Sequence, residues 1–302
     1  MRSKATQQAA RLICSILNAM NRRQFVLSSL SALSVVDRNR ADAASPATPW
    51  FGHRQANMVT EPGPAVFDLA RQIPGLSGVE LQVVFKGTSL WDKDTLLDYK
   101  RAAESTGLKI PSLAGVWPQG ANLWKPEAEE ILRKAVGCAR EVQAGIILVA
   151  CFEANCPRID QEESFGPVVA LLQKVSPVAR DAGVTIAMET SLTPAEDRKL
   201  IEMVDRANVR VYYDLDNVER YHPGAAVQGI ETLGTARIRQ VHLKNEKLLL
   251  EQPGRVDWAA AVRSLAKAGY QGWFVFETSH SGPQQCVEAT GRNISFVKRN
   301  FA

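Results

Sequence analysis

Residues 211–217 read VYYDLDN. Three strand-forming residues, Val211, Tyr212 and Tyr213, run straight into Asp214, and a second acid, Asp216, precedes Asn217. A run this apolar reads as a buried strand. A carboxylate at the end of a buried strand is costly unless another group compensates its charge. The same register, an apolar run closed by a ligand-type residue, recurs in IAMET with Glu189, RQVHLKN with His242 and FVFET with Glu277.

Working outward, the chain alternates. Strands are expected at 78–85, 109–117, 145–152, 184–190, 209–214, 237–245 and 272–279, with a weaker first strand in 51–59. Between them the spacing predicts helices over 64–73, 93–107, 125–143, 166–183, 194–205, 224–234 and 257–270. Strand alternating with helix implies a parallel sheet. Eight such units in about 250 residues match an α/β fold of the (β/α)₈ TIM-barrel kind. An open doubly wound sheet would want a glycine-rich phosphate turn after an early strand, and none is present.

The bulk numbers agree. The chain has 302 residues, 45% hydrophobic and 23% charged, with a net charge of +4. That composition suits one large domain with a sizeable core. Part of the positive excess comes from the N-terminus, which has no acid before Asp37, so no nucleic-acid partner is expected. No apolar run approaches the length of a transmembrane helix, so no membrane partner is expected. The five cysteines include no CxxC pair. They read as buried free thiols, with a Cys151–Cys156 disulfide as the alternative.

The N-terminal segment is set apart. Residues 21–36, NRRQFVLSSLSALSVV, resemble a twin-arginine export signal with Arg22 and Arg23 as the pair, and Ala41-Asp42-Ala43 offers a cleavage site. Residues 1–45 are therefore expected to be removed or disordered, with the barrel over 46–302 and a periplasmic or otherwise exported location. An organelle transit peptide is the rival reading of the same stretch.

A barrel places its functional residues at the C-terminal ends of its strands. Glu80, Gln82, Trp117, Glu153, Glu189, Asp214, His242 and Glu277 all fall there. Three carboxylates and an imidazole on the last four strand ends cannot stay mutually uncompensated. A divalent cation resolves this, and the oxygen-rich set with one His suits Mn²⁺ first, then Mg²⁺, Co²⁺ or Zn²⁺. Asp216, two residues further on, reads as a loop residue. Lys244 is expected on the same side as His242, either binding a substrate oxygen or pairing with Glu277. His53 and Arg54 at the end of the first strand, Trp117 and Trp124 as a stacking wall, Glu153 as an extra acid and His222 as a cap complete the candidate surroundings. Lys247 and Arg255 read as solvated loop charges.

These residues resemble the xylose-isomerase-like TIM barrels, known as sugar phosphate isomerases/epimerases. YYDLDN is similar to that family's strand-six motif, VHLKN to its His-Leu-Lys-Asp motif, and PGRVDWAAAVRSLAKAGYQGWFVFE (253–277) to the segment leading to its final Glu. The resemblance spans roughly 60–300. It implies Glu189, Asp214, His242 and Glu277 as metal ligands, with Glu189 and Glu277 also moving a proton on and off a sugar through an enediolate. It implies a small-molecule sugar as partner, and leaves a homo-oligomer open. The chain departs from the ketose 3-epimerases of this group at Asn217, where they carry His, at Leu248, where they carry Arg, and at Ala195, where they carry Glu. The substrate-gripping set, in which Lys244, Asn217, Trp117, His53 and Glu153 are the candidates, is thus altered around an intact metal set. Export favours an unphosphorylated sugar or keto-sugar. A lyase cleaving 3-keto-glycosides by the same chemistry and a non-catalytic sugar-binding barrel are the alternatives. An endonuclease of this scaffold would want more His than the four present.

Overall fold

The computed structural model describes residues 49–58 and 61–302; the segment read from sequence as a twin-arginine-like signal lies outside them. Eight parallel strands close into a barrel. They are β1 (Trp50–Arg54), β2 (Gly78–Gln82), β3 (Leu113–Ala114), β4 (Ile146–Cys151), β5 (Thr185–Thr190), β6 (Val209–Asp214), β7 (Ile238–Leu243) and β8 (Trp273–Phe276). β8 pairs with β1 through Trp50↔Trp273 to His53↔Phe276, which shuts the ring. The helices are α1 (Val66–Arg71), α2 (Lys93–Thr106), α3 (Ala128–Glu141), α4 (Glu162–Asp181), α5 (Pro194–Val204), α6 (Ala226–Leu233), α7 (Trp258–Lys267) and α8 (Pro283–Phe301), with a further helix at Leu215–Tyr221.

Local chemistry explains the boundaries. Asp92 caps α2 by accepting from the Thr95 amide, and Gly107, left-handed at φ 73°, ends it. Thr193 and Glu196 form a reciprocal capping box at the start of α5, with Pro194 in its first turn. β3 is far shorter than the 109–117 expected. Pro111 has no amide to donate, and Gly115 turns left-handed at φ 58° immediately after Ala114. The first strand stops at Arg54, and a helical turn, Gln55–Met58, takes over. α8 has no counterpart among the helices expected from sequence. Its buried positions, Cys286, Thr290, Asn293, Val297 and Phe301, follow helical spacing, but two of them are polar and weaken the stripe.

Each strand has two faces. Outward residues such as Val79, Leu81, Val211, Tyr213, Phe274 and Phe276 join the main core with the helices. Inward residues form a separate small cluster, Ala114, Ile146, Leu148, Ala187 and Tyr212, that fills the lumen. Each large apolar side chain buried in this way stabilises the fold by about 1.5–3 kcal/mol. The lumen also holds polar groups that satisfy one another. Gln240 donates to the Ser112 hydroxyl and the Tyr212 hydroxyl, both at 2.7 Å. Ser112 and Tyr212 in turn each donate to Glu80 Oε2 at 2.6 Å. The four described cysteines are buried and free, as expected of thiols outside a disulfide framework.

Gly78, at the start of β2, lets three segments meet. A Cβ there would stand 2.6 Å from the Lys109 carbonyl oxygen and 3.2 Å from the Trp273 ring. Backbone cannot retreat as a side chain can, so Gly78→Ala is expected to cost about 1–3 kcal/mol, read as a lowered midpoint in urea unfolding at unchanged slope.

Candidate metal centre

The four strand-end residues converge. One ligand atom from each of Glu189, Asp214, His242 and Glu277 lies within 4.8 Å of the others. Strand parity explains it: Glu189, Asp214 and His242 share the inward face with Ala187, Tyr212 and Gln240, two residues earlier in each strand. Glu277 follows β8 directly, and its amide still pairs with the Leu243 carbonyl at 2.9 Å.

His242 organises the cluster. Its Nδ1 faces the carboxylates, at 3.4 Å from Glu189 and 3.7 Å from both Asp214 and Glu277. Its Nε2–H donates to Glu80 Oε1 at 3.1 Å. A carboxylate behind a ligating imidazole fixes the ring and its tautomer. Asp214 also serves as a helix cap. Its Oδ1 accepts from the Asn217 amide at 2.9 Å, at the start of the helix Leu215–Tyr221. Asn217 then donates from its side chain to Glu189 Oε1 at 3.0 Å. Lys244 Nζ sits 2.7 Å from Asp214 Oδ2 and 2.8 Å from Glu277 Oε2, and Arg54 also pairs with Glu277.

The charges account for the titration. Burial opposes a charged Glu189, but the His242 hydrogen bond and charge, with Lys244 and Arg54, outweigh it and hold the carboxyl at about 2. Burial likewise opposes a charged His242, yet Glu80 and Glu189 push it up to about 9. Burial raises Asp214, against the pull of Lys244. Glu80 is held below the usual carboxylate range: its burial is outweighed by His242, Arg54 and Ser112.

A cavity of about 380 Å³ opens above the cluster, lined by Arg54, Trp117, Phe152, Glu189, Asn217, Arg220, Tyr221, Lys244 and Glu277. A larger groove of about 790 Å³, carrying Arg180, Arg206, Arg210 and Arg239, lies at the N-terminal ends of the strands. That end of a barrel serves stability rather than chemistry. Of the residues expected at the mouth, Trp117, Asn217 and Lys244 line the cavity, and Lys244 stands in ion pairs with Asp214 and Glu277. His53 does not line it. It neighbours Arg54, and successive strand side chains point to opposite faces, so only Arg54 reaches the lumen. Glu153 is exposed and meets the Tyr221 hydroxyl at 3.4 Å rather than Lys244. Trp124 is exposed and bonds to Asn155, away from the cavity. His222 is held by the Ser191 carbonyl at 2.9 Å. Asp216 lies in the helix after β6, not in a loop, and Arg255 is paired with Asp216 and Glu246 instead of being solvated. Glu80 acquired no role from sequence, although a lone acid between Val79 and Leu81 in an apolar strand is a signal for an inward ionic partner.

The donor set fits a divalent cation. Three carboxylates and an imidazole with its second nitrogen already engaged match the oxygen-rich sites of Mg²⁺ and Mn²⁺ and can also serve Zn²⁺ or Co²⁺.

The chain belongs to the xylose isomerase-like TIM barrel family, whose sequence profile matches residues 67–299. No protein with a curated description matches it. Among solved structures it is similar to D-allulose 3-epimerase from Methylomonas sp. in complex with D-allulose, at 17% identity and TM-score 0.70, covering 84% of this chain and 97% of that one. It is also similar to 3-keto-D-glucoside 4-epimerase from E. coli, at 17% identity and TM-score 0.66, covering 83% of this chain and 99% of that one. A third is a xylose isomerase-like TIM barrel protein from Mycobacterium smegmatis in complex with magnesium, at 16% identity and TM-score 0.64, covering 85% and 98%. At these identities the likeness is one of fold.

An ion held by this cluster would compete with the proton on His242 Nδ1. That proton is held up to about 9, so ion uptake must release it at neutral pH. Mn²⁺ affinity is therefore expected to climb by about tenfold per pH unit toward the His242 value and level off above it. Equilibrium dialysis across that range checks this, and a flat profile would contradict the assignment of His242 as a ligand.

Proposed function

We propose that the chain is a divalent-metal-dependent sugar isomerase or epimerase acting on an unphosphorylated sugar or keto-sugar. One observation carries the reading: Glu189 and Glu277 reach the same cluster from strand ends three places apart in the ring. Mere binding has no need of a base on each side. The proposed cofactor is a single divalent ion held by Glu189, Asp214, His242 and Glu277, with Mn²⁺ the first candidate. When bound, such an ion polarises a carbonyl and an adjacent hydroxyl and so acidifies the C–H between them.

The remaining work falls to side chains. Glu189 is ionised at neutral pH and can accept that proton, oriented by the Asn217 amide at 3.0 Å. Glu277 can return one from the other side, and returning it to the opposite face inverts the carbon. Lys244 is paired with Asp214 and Glu277, and an incoming cation would free its ammonium to bind a substrate oxygen. Trp117 is tethered by its indole N–H to the Ala150 carbonyl at 3.0 Å and offers apolar surface to a sugar face. A cavity of about 380 Å³ suits a small sugar. The preference for an unphosphorylated substrate rests on the export signal proposed below.

A second reading shares the first proton transfer but ends in β-elimination from a 3-keto-glycoside. The fold-level likeness to a 3-keto-D-glucoside 4-epimerase favours testing that substrate class.

The test is solvent-deuterium incorporation into free sugars and 3-keto-glycosides by the Mn²⁺-loaded protein. Exchange with a new stereocentre supports the epimerase, and release of an aglycone supports the lyase. Glu189→Gln and Glu277→Gln are each expected to slow exchange by about 10²–10⁴-fold. Exchange that survives both changes would sink the mechanism. We also propose export through the Arg22–Arg23 signal, and N-terminal sequencing of the exported protein is expected to start close to residue 45.

A further inference from the structure

A second group of ligand-type side chains meets on the other side of the barrel wall. His53, His280 and Cys286 each place one ligand atom within 4.8 Å of the others. His53 points outward from β1, on the face it shares with Phe51, into the layer between barrel and α8. His280 comes from the loop that leaves β8, and Cys286 from the first turn of α8. Among the described residues these three form the one such group besides the carboxylate cluster.

Two features mark it as more than packing. His53 Nδ1 lies 3.1 Å from the Arg54 carbonyl oxygen, which can only accept. Nδ1 therefore carries the proton, and the Nε2 lone pair accepts from His280 Nε2–H, 3.0 Å away, a hydrogen bond that an ion between the two rings would replace. The other nitrogen of that ring, His280 Nδ1, is buried with no hydrogen-bond partner, and with the proton on Nε2 it presents an unused lone pair. Buried polar atoms without partners are uncommon and call for an explanation. Cys286 is fully buried beside them. Both imidazoles are neutral, the form that binds metals. Burial brings His53 down to about 3, with His280 adding to the effect, and burial brings His280 down to about 4. Glu80 and His242 also bear on His53 from across the wall, with opposite signs.

We propose that His53, His280 and Cys286 form a second metal site, selective for a thiophilic divalent ion such as Zn²⁺. Two imidazoles and a thiolate suit Zn²⁺, and one position stays free for water beside the half-exposed His280. On binding, the Cys286 S–H bond gives its proton to solvent and an S–metal bond forms, with no change of oxidation state. The two sites differ in kind. The carboxylate cluster is hard and offers no sulfur, whereas this one is soft and offers no oxygen. His280 lies three residues beyond Glu277, so an ion here would tie the Glu277 loop to β1 and α8 at once.

Co²⁺ distinguishes the sites, because only thiolate ligation gives an intense near-ultraviolet charge-transfer band. Titrated into the metal-stripped full chain, Co²⁺ is expected to raise that band to saturation at one ion per band-forming site. The Glu189→Gln/Glu277→Gln double variant is expected to keep the band, so failure of the proposed catalytic site would not hide this one. Cys286→Ser is expected to abolish it, and His280→Gln, a change in a half-exposed loop residue, to weaken Co²⁺ binding at least about tenfold. Absence of the band in the parent overturns the proposal. So does a band that survives Cys286→Ser, which would assign it to another of the five cysteines. Should Cys286→Ser fail to fold, unchanged Co²⁺ affinity in His280→Gln overturns it equally.

Discussion

Buried carboxylates at the mouth of the barrel repel one another, and the arrangement around them follows from that repulsion. Glu80, Glu189, Asp214 and Glu277 face His242, Lys244 and Arg54. His242 can carry charge there only because Glu80 and Glu189 flank it on both ring nitrogens. Lys244 and Arg54 are drawn inward onto Asp214 and Glu277 although their side chains are long enough to reach solvent. Removing any one partner would leave an uncompensated charge, which costs far more than the pair gains.

Below this layer the lumen stays polar, and only the Gln240 carbonyl oxygen among the network's atoms lacks a partner. Gln240, Ser112 and Tyr212 connect to Glu80, and Glu80 connects to His242. A chain of hydrogen bonds thus runs from the packed floor of the barrel to the carboxylate–histidine cluster. Such networks are worth most when complete, because a half-satisfied one leaves polar atoms stranded in a low dielectric. The orientation of the His242 ring is therefore set by residues of β2, β6 and β7 together, with Ser112 beside β3.

Much of this is legible in the sequence, for a physical reason. A parallel barrel buries its strands on both faces, so strands read as apolar runs, and any ligand-type residue closing such a run is conspicuous. Glu189, Asp214, His242 and Glu277 all announce themselves in that way. Parity adds what apolar runs do not. His53 and Arg54 both end β1, and only one of them can face the lumen; counting in twos from Phe51, an outward residue, separates them. The length of β3 is hidden because apolar composition does not reveal that Pro111 and Gly115 bracket it. α8 is hidden because Thr290 and Asn293 interrupt its stripe; Asn293 is bonded to the Leu248 and Leu250 backbone, a partnership invisible along the chain.

Asp214 commits one oxygen to the Asn217 amide as a helix cap. Its other oxygen, Oδ2, faces the cluster and pairs with Lys244 at 2.7 Å, so one carboxylate serves the helix and the cluster at once. Glutamate at this position would carry its oxygens a methylene too far to cap the same helix. The first turn of that helix bears Asn217, and its last turn bears Arg220 and Tyr221, three parts of the cavity wall. The wall is therefore anchored on Asp214 itself: the carboxylate that belongs to the cluster also fixes the start of the helix that carries the wall.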